Sequence, residues 1–138
     1  MIVLDTNVVS ESIRPVPNEN VMRWLVEHAS ELAITAVTVA ELSLSLELLP
    51  EGQRRTVLRH HLGMVLDNYR DRVLDFDWQA GWCYGEVVAQ RRVIGRPITT
   101  EDGMIAAICL GQAIPLATRN VKDFAGLGLT LVNPWDGP

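Results

Sequence analysis

Met1-Ile2-Val3-Leu4-Asp5-Thr6-Asn7 is the stretch from which the rest of the chain can be placed. Its apolar run, with two β-branched members, reads as a short buried strand. The run stops on a carboxylate, and Thr6 and Asn7 can then start a helix. In an open α/β sheet the ligand crevice lies beyond the carboxyl ends of the strands. Asp5 is therefore placed either to do chemistry at that edge or simply to cap the helix that follows.

Outward from that strand, elements alternate. A helix is expected to about Ile13, ended by Pro15 and Pro17. A second starts at Asn18 or Asn20 and carries Val21, Trp24, Leu25 and Ala29 at helical spacing. Leu32–Thr35 reads as a strand, and Thr38–Leu49 as a helix stopped by Pro50 and Gly52. A longer helix, Gln53 to Tyr69, has Val57, Leu58, His61, Leu62, Val65 and Leu66 on one side. Val73–Phe76 suggests a third strand and Trp78–Val93 a helix broken by Gly95 and Pro97. The spacing then predicts a helix over Glu101–Gly111, a strand Pro115–Thr118, a helical turn Val121–Phe124 and a last strand Thr130–Val132. No hairpin pattern occurs, so the order predicts a mostly parallel sheet with helices on both faces, a three-layer α/β/α sandwich.

With 138 residues, no internal repeat and no dividing linker, residues 1–138 are expected to form one domain. A chain this long buries a sizeable core without staples. Cys83 and Cys109 have no pairing or metal-ligand pattern and read as core residues of a reducing compartment. The formal net charge of -5 argues against a broad basic nucleic-acid surface. It leaves room for a nucleic-acid substrate met through bound cations. A 48% hydrophobic content is high for a small monomer and implies a covered apolar face. No leader pattern stands at the start, and the apolar stretch Gly103–Ala117 is too short to span a bilayer, so the expectation is a cytoplasmic protein with no membrane partner.

Three polar positions stand beside Asp5. Thr38 and Glu41 have capping-box spacing, so Glu41 either caps its helix or serves a site. Asp102 opens the most apolar helix, where an acid complements the helix dipole. Asn120 ends a strand as Asp5 does, and Asp123 follows one turn later; loop acids and amides commonly make Asx turns. Taken together, Asp5 and Asn120 follow strands while Glu41 and Asp102 begin helices, so all four fall on the carboxyl edge of a parallel sheet. Carboxylates gathered there raise each other's pKa unless a cation lies between them. Hard oxygen donors suit Mg²⁺ or Mn²⁺, which can activate water and hold a phosphodiester oxygen.

Ile2–Asn7, Ala36–Leu42, Thr100–Ala107, Ala117–Phe124 and Val132–Trp135, in this order, resemble the PIN-domain nucleases, specifically the VapC and FitB type toxins of bacterial toxin–antitoxin pairs. The resemblance covers nearly all of the chain. It implies a compact α/β/α sandwich and an Mg²⁺-dependent endoribonuclease acting on an RNA substrate. Asp5, Glu41 and Asp102 match the family's core acids, as catalytic residues and metal ligands. Asn120 takes a fourth position that is an acid in many PIN domains; an amide oxygen coordinates without charge. Thr6 and Thr118 look like hydroxyls that orient carboxylates or water. The resemblance also implies a homodimer, a cognate antitoxin of the VapB or FitA kind, and DNA contact only through that antitoxin.

The competing reading is a dimeric PIN-like interaction module with weak or no cleavage, holding a DNA-binding antitoxin for autoregulation. A haloacid-dehalogenase phosphatase would need a second Asp where Asn7 stands, and a receiver domain would need an acid beside Asp5. No GxGxxG or P-loop follows the first strand. Arg91, Arg92 and Arg96 either complement a helix C-terminus or clamp phosphate. Arg54, Arg55 and Arg59 read as a solvated face, and Trp24, Trp78, Trp82 and Trp135 as core or interface residues.

Overall fold

Ile2–Leu4 (β1) lies at the centre of a five-stranded sheet with Leu32–Thr35 (β2), Val73–Leu74 (β3), Leu116–Ala117 (β4) and Leu131–Val132 (β5). This computed structural model describes residues 1–137. The strand order is β3-β2-β1-β4-β5 and every pairing is parallel. The chain builds outward from β1 through β2 to β3, then returns to lay β4 on the other side of β1. The gap between the ends of β1 and β4 is thus the topological switch point, where α/β sheets open a crevice.

Side chains alternate across a strand, so an uninterrupted apolar run feeds two cores. Val3 and Leu116 point to one face, packed by Trp78–Val93 (α5) and Thr100–Gln112 (α6) through Val87, Ile105 and Ile108. Leu4, Ile34 and Ala117 point to the other, covered by Thr6–Ser12 (α1), Glu19–Glu27 (α2), Ala36–Glu47 (α3) and Gln53–Asp67 (α4). The result is the expected α/β/α sandwich. Gly103 permits a close approach within it: a Cβ there would stand 3.0 Å from the Tyr84 ring. Its lack of a side chain lets the first turn of α6 lie against α5.

Several boundaries differ from the sequence reading. α3 begins two residues early, because Thr35 is its N-cap and accepts the Thr38 N–H at 3.1 Å. Thr38 and Glu41 therefore form no capping box. α4 buries the stripe Leu58, Leu62, Val65 and Leu66, while Val57 and His61 are turned to solvent. β3, β4 and β5 are each shorter than expected, although Pro115, Thr118 and Thr130 still share backbone hydrogen bonds with the neighbouring strands. Trp78 and Trp82 are not core: they stack parallel on the exposed side of α5 with ring centroids 6.0 Å apart. Arg91 is the reverse case, a buried cation whose Nη1 donates to the carbonyls of Lys122 and Ala125. Its role is to tie α5 to the 3₁₀ turn Val121–Phe124, so it does not reach a phosphate. Arg55 and Arg59 pair with Glu47 on the surface. Among the described residues no helix is long and apolar enough to cross a membrane.

Candidate active site

Asp5 is set by β1. Its backbone N–H donates to the Ala117 carbonyl at 2.9 Å, which continues the β1–β4 register past the last strand pair. Its side chain caps α1: Oδ1 accepts the Thr6 N–H at 2.8 Å. Oδ2 accepts the Thr118 hydroxyl at 2.8 Å from the end of β4. Thr118 is fully buried, and its oxygen also accepts the Asn120 N–H at 3.0 Å. One hydroxyl thus joins the first candidate acid to the turn that bears the fourth position. Burial raises the Asp5 pKa, opposed by the hydrogen bonds of Thr118 and Thr6 and reinforced by nearby Asp123.

Glu41 lies one helical turn beyond Thr38 on α3 and does not cap its own helix. Its Oε1 accepts the Thr6 hydroxyl at 2.7 Å. Thr6 and Thr38 hydroxyl oxygens are 3.0 Å apart, and Thr35 and Thr38 oxygens 3.5 Å apart. Since Thr6 commits its only proton to Glu41, Thr38 must donate to Thr6. A line of hydroxyls therefore runs toward the carboxylate. Burial raises the Glu41 pKa most, with Asp5 and Glu101 adding to it and the Thr6 hydrogen bond opposing it.

Asp102 occupies the first turn of α6, and its backbone N–H is capped by the Thr99 hydroxyl oxygen at 3.2 Å. Its pKa is pushed up to about 6, first by burial, then by the charges of Asp5 and Glu41. The helix N-terminus would favour a carboxylate here. Desolvation and two like charges outweigh it.

These residues meet in one open cleft of about 360 Å³, lined by Asp5, Glu41, Asp102 and Asn120 together with Thr6 and Asn7. All four candidates are brought together, from β1, α3, α6 and the turn after β4. Asp123 does not line the cleft but is near enough to raise both Asp5 and Asp102. Four wall residues were given no role from sequence, Ser10, Glu11, Arg14 and Arg119, and Trp135, read there as core or interface, also lines the wall. Glu11 is buried, accepting the Asn18 N–H at 2.9 Å and Arg14 Nη1 at 3.2 Å, and so joins the end of α1 to the start of α2. Ser10-Glu11-Ser12 reads locally as a solvated helix end, and only the fold of α2 over α1 encloses it. Thr35 and Thr38 were missed as site hydroxyls for the related reason that Thr38 was read as a cap.

The donor set, carboxylates plus one amide oxygen, is that of a hard divalent cation. Among the described residues no three His, Cys, Asp or Glu side chains are gathered tightly enough to enclose an ion. The carboxylates are drawn instead to the hydroxyls and N–H groups beside them, and side-chain rotation is needed for them to converge. By chemistry, and by the repulsion a cation would relieve, the residues fit such an ion.

Comparison with known proteins follows the same lines. The PIN domain profile matches residues 2–127. The chain is 41% identical over 138 residues to VapC ribonuclease Y4jK of Sinorhizobium fredii, spanning 99% of both chains. It is 37% identical to toxin FitB of Neisseria gonorrhoeae, with 98% of this chain and 99% of that protein aligned. A solved structure of FitAB bound to a DNA fragment contains a chain that superimposes with a TM-score of 0.90 at 35% identity, covering 98% of this chain and 96% of that one.

Proposed function

The chain belongs to the PIN domain family, and from that premise we propose that it is the endoribonuclease toxin of a toxin–antitoxin pair, hydrolysing RNA phosphodiesters with Mg²⁺, or Mn²⁺ in its place. Asp5, Asp102 and Glu41 hold the ion, and Asn120 lends an uncharged oxygen. When bound, the ion supplies acidified water and a counter-charge for the phosphodiester. The observation that carries this reading is the gathering of three carboxylates along one cleft at the switch point, with Asp102 driven to about 6 by burial and by the other two. Few structural needs would keep such a conflict in place.

The protein's own groups divide the work. Thr118 and the Thr6 N–H each occupy one oxygen of Asp5 and fix its plane. The Thr6 hydroxyl holds Glu41 by Oε1, which leaves Oε2 to take a proton from attacking water. The protein tied down by the antitoxin is bound beside this cleft: a groove of about 730 Å³ between the end of α1 and the start of α4 is lined by Ile13, Pro15, Val57 and Leu58. Such a groove suits the apolar face of a partner helix. DNA is reached through that partner, and the exposed Leu44 with Met104 on α3 and α6 supports a homodimer.

The uncharged Asn120 and the unclosed carboxylate set favour a second reading, a dimeric module that holds its antitoxin with little cleavage. Incubation with a mixed RNA pool separates the two. Cleavage is expected with Mg²⁺ or Mn²⁺ and should stop in EDTA. Undiminished cleavage in chelator rules out the metal site, and none under any divalent ion favours the module.

A further inference from the structure

The acidic cleft has two cationic residues in its wall, Arg14 and Arg119. They are not equivalent. Arg14 is already answered by the buried carboxylate of Glu11, 3.2 Å away. Arg119 has no carboxylate within ion-pair distance and no acceptor for its side-chain N–H groups among the described residues. What holds it is the face of Trp135, whose ring centroid is 5.3 Å from the guanidinium carbon. Trp135 is itself anchored: its N–H donates to Asn133 Oδ1 at 3.0 Å, and its carbonyl accepts Asn20 Nδ2 at 3.1 Å. The backbone N–H of Arg119 donates to Asn7 Oδ1 at 3.4 Å, and its neighbour Thr118 holds Asp5.

A second stacked arginine in the same molecule shows what is unusual here. Arg72 lies 5.2 Å from the Tyr69 centroid, but its Nη atoms donate to the carbonyls of Ala29, Leu32 and Asn68. Its donors are consumed by the fold. Stacking on a ring uses only the face of a guanidinium and leaves the in-plane N–H fork open. At Arg119 that fork is open at the edge of a cleft whose carboxylates repel phosphate. A planar fork of this kind matches two phosphate oxygens.

We propose that Arg119, held on Trp135, binds a backbone phosphate of the RNA adjacent to the one being cleaved, and so sets the register of the strand across the carboxylates. This rests on the ribonuclease reading above and names the group that receives its substrate. Arg119 is then a substrate-binding residue and Trp135 a positioning residue that acts through it.

The test uses steady-state cleavage of a single-stranded RNA over a range of KCl concentrations, alongside fluorescence anisotropy with the same RNA in a Glu41→Gln background. Arg119→Ala should raise KM about tenfold with kcat within about threefold, and should make the salt dependence of log(kcat/KM) shallower by about 0.7, the value for one lost phosphate contact on a single strand. Arg119→Lys should restore the slope but not the full affinity, since a point charge lacks the fork. Trp135→Leu should raise KM while keeping the slope, because the charge remains. Unchanged KM and slope in Arg119→Ala would overturn the proposal, as would a loss confined to kcat. If the parent cleaves no RNA, anisotropy still decides: an Arg119-dependent salt slope upholds phosphate binding while the nuclease reading fails, and an Arg119-independent one removes both.

Discussion

Asp102→Asn should make the metal-free protein more stable while abolishing cleavage. In the folded chain the Asp102 pKa is pushed to about 6, against 3.8 for an ordinary aspartate, by burial, Asp5 and Glu41. That gap corresponds to about 3 kcal/mol of penalty on the charged form. Asp102 is only half-buried, so solvent screening reduces the figure to about 1–1.5 kcal/mol. Because the folded pKa lies above the unfolded one, the folded state binds the proton more tightly. Parent stability therefore rises as pH falls from about 6 toward 4, and the penalty is complete above about pH 7. Asparagine carries no charge at any pH and leaves the Thr99 cap of the backbone intact. In EDTA at pH 8 the variant should gain about 1–1.5 kcal/mol, a rise in Tm of about 3–5 °C for a chain of this size. At pH 4 most of the gain should vanish, because the folded parent is then protonated and the unfolded chain is about half protonated. Urea or thermal unfolding at the two pH values measures this directly. An Asp102→Asn variant that is equally stable at pH 8, or that gains as much at pH 4, would show that the three acids are not in electrostatic conflict.

Glu41→Gln should fold with an equal or higher metal-free melting temperature, since the amide oxygen still accepts the Thr6 hydroxyl, yet lose cleavage by orders of magnitude; an active variant would return Glu41 to a structural role. Arg91→Met should cost about 2–4 kcal/mol in urea unfolding by stranding the carbonyls of Lys122 and Ala125, and a cost below about 0.5 kcal/mol would mean the buried guanidinium holds nothing.

The strand and helix order, the parallel sheet and the four cleft candidates were legible because each depends on local pattern plus one topological rule. Apolar runs ending in Asp5 or Thr118 mark carboxyl ends of strands wherever the sheet is parallel. What local pattern could not give was which of two chemically valid partners a side chain takes. Thr38-x-x-Glu41 is a sound capping box by spacing. It fails because Thr35, three residues earlier, takes the Thr38 N–H, and because α1 offers the Thr6 hydroxyl to Glu41. The burial of Arg91 was hidden for a similar reason. The last turn of α5 favours a cation whether it is exposed or not, and only the return of the chain through Lys122–Ala125 buries it. Glu11 is enclosed by α2 folding over α1, which no window on α1 alone reveals.

The cations around the cleft follow one pattern. Arg14 is tied to Glu11 and Arg119 to an aromatic face. Asp5 and Glu41 are held by hydroxyls and an N–H group, which fix a carboxylate's direction without cancelling its charge. An internal ion pair would have been more comfortable for the fold, and it would have left the cleft with no reason to take up an external cation. On the proposed function, this leaves the unpaid repulsion for whichever cation arrives from outside. On that reading a metal ion would relieve it and complete the site, and a Lys or Arg carried in by an antitoxin would relieve it equally and exclude the metal. Arg14 lines both the acidic cleft and the apolar groove between α1 and α4, so a helix seated in that groove lies beside the acids. Inhibition by a partner and activation by a metal are then two answers to the same electrostatic demand, and raising the concentration of either should oppose the other.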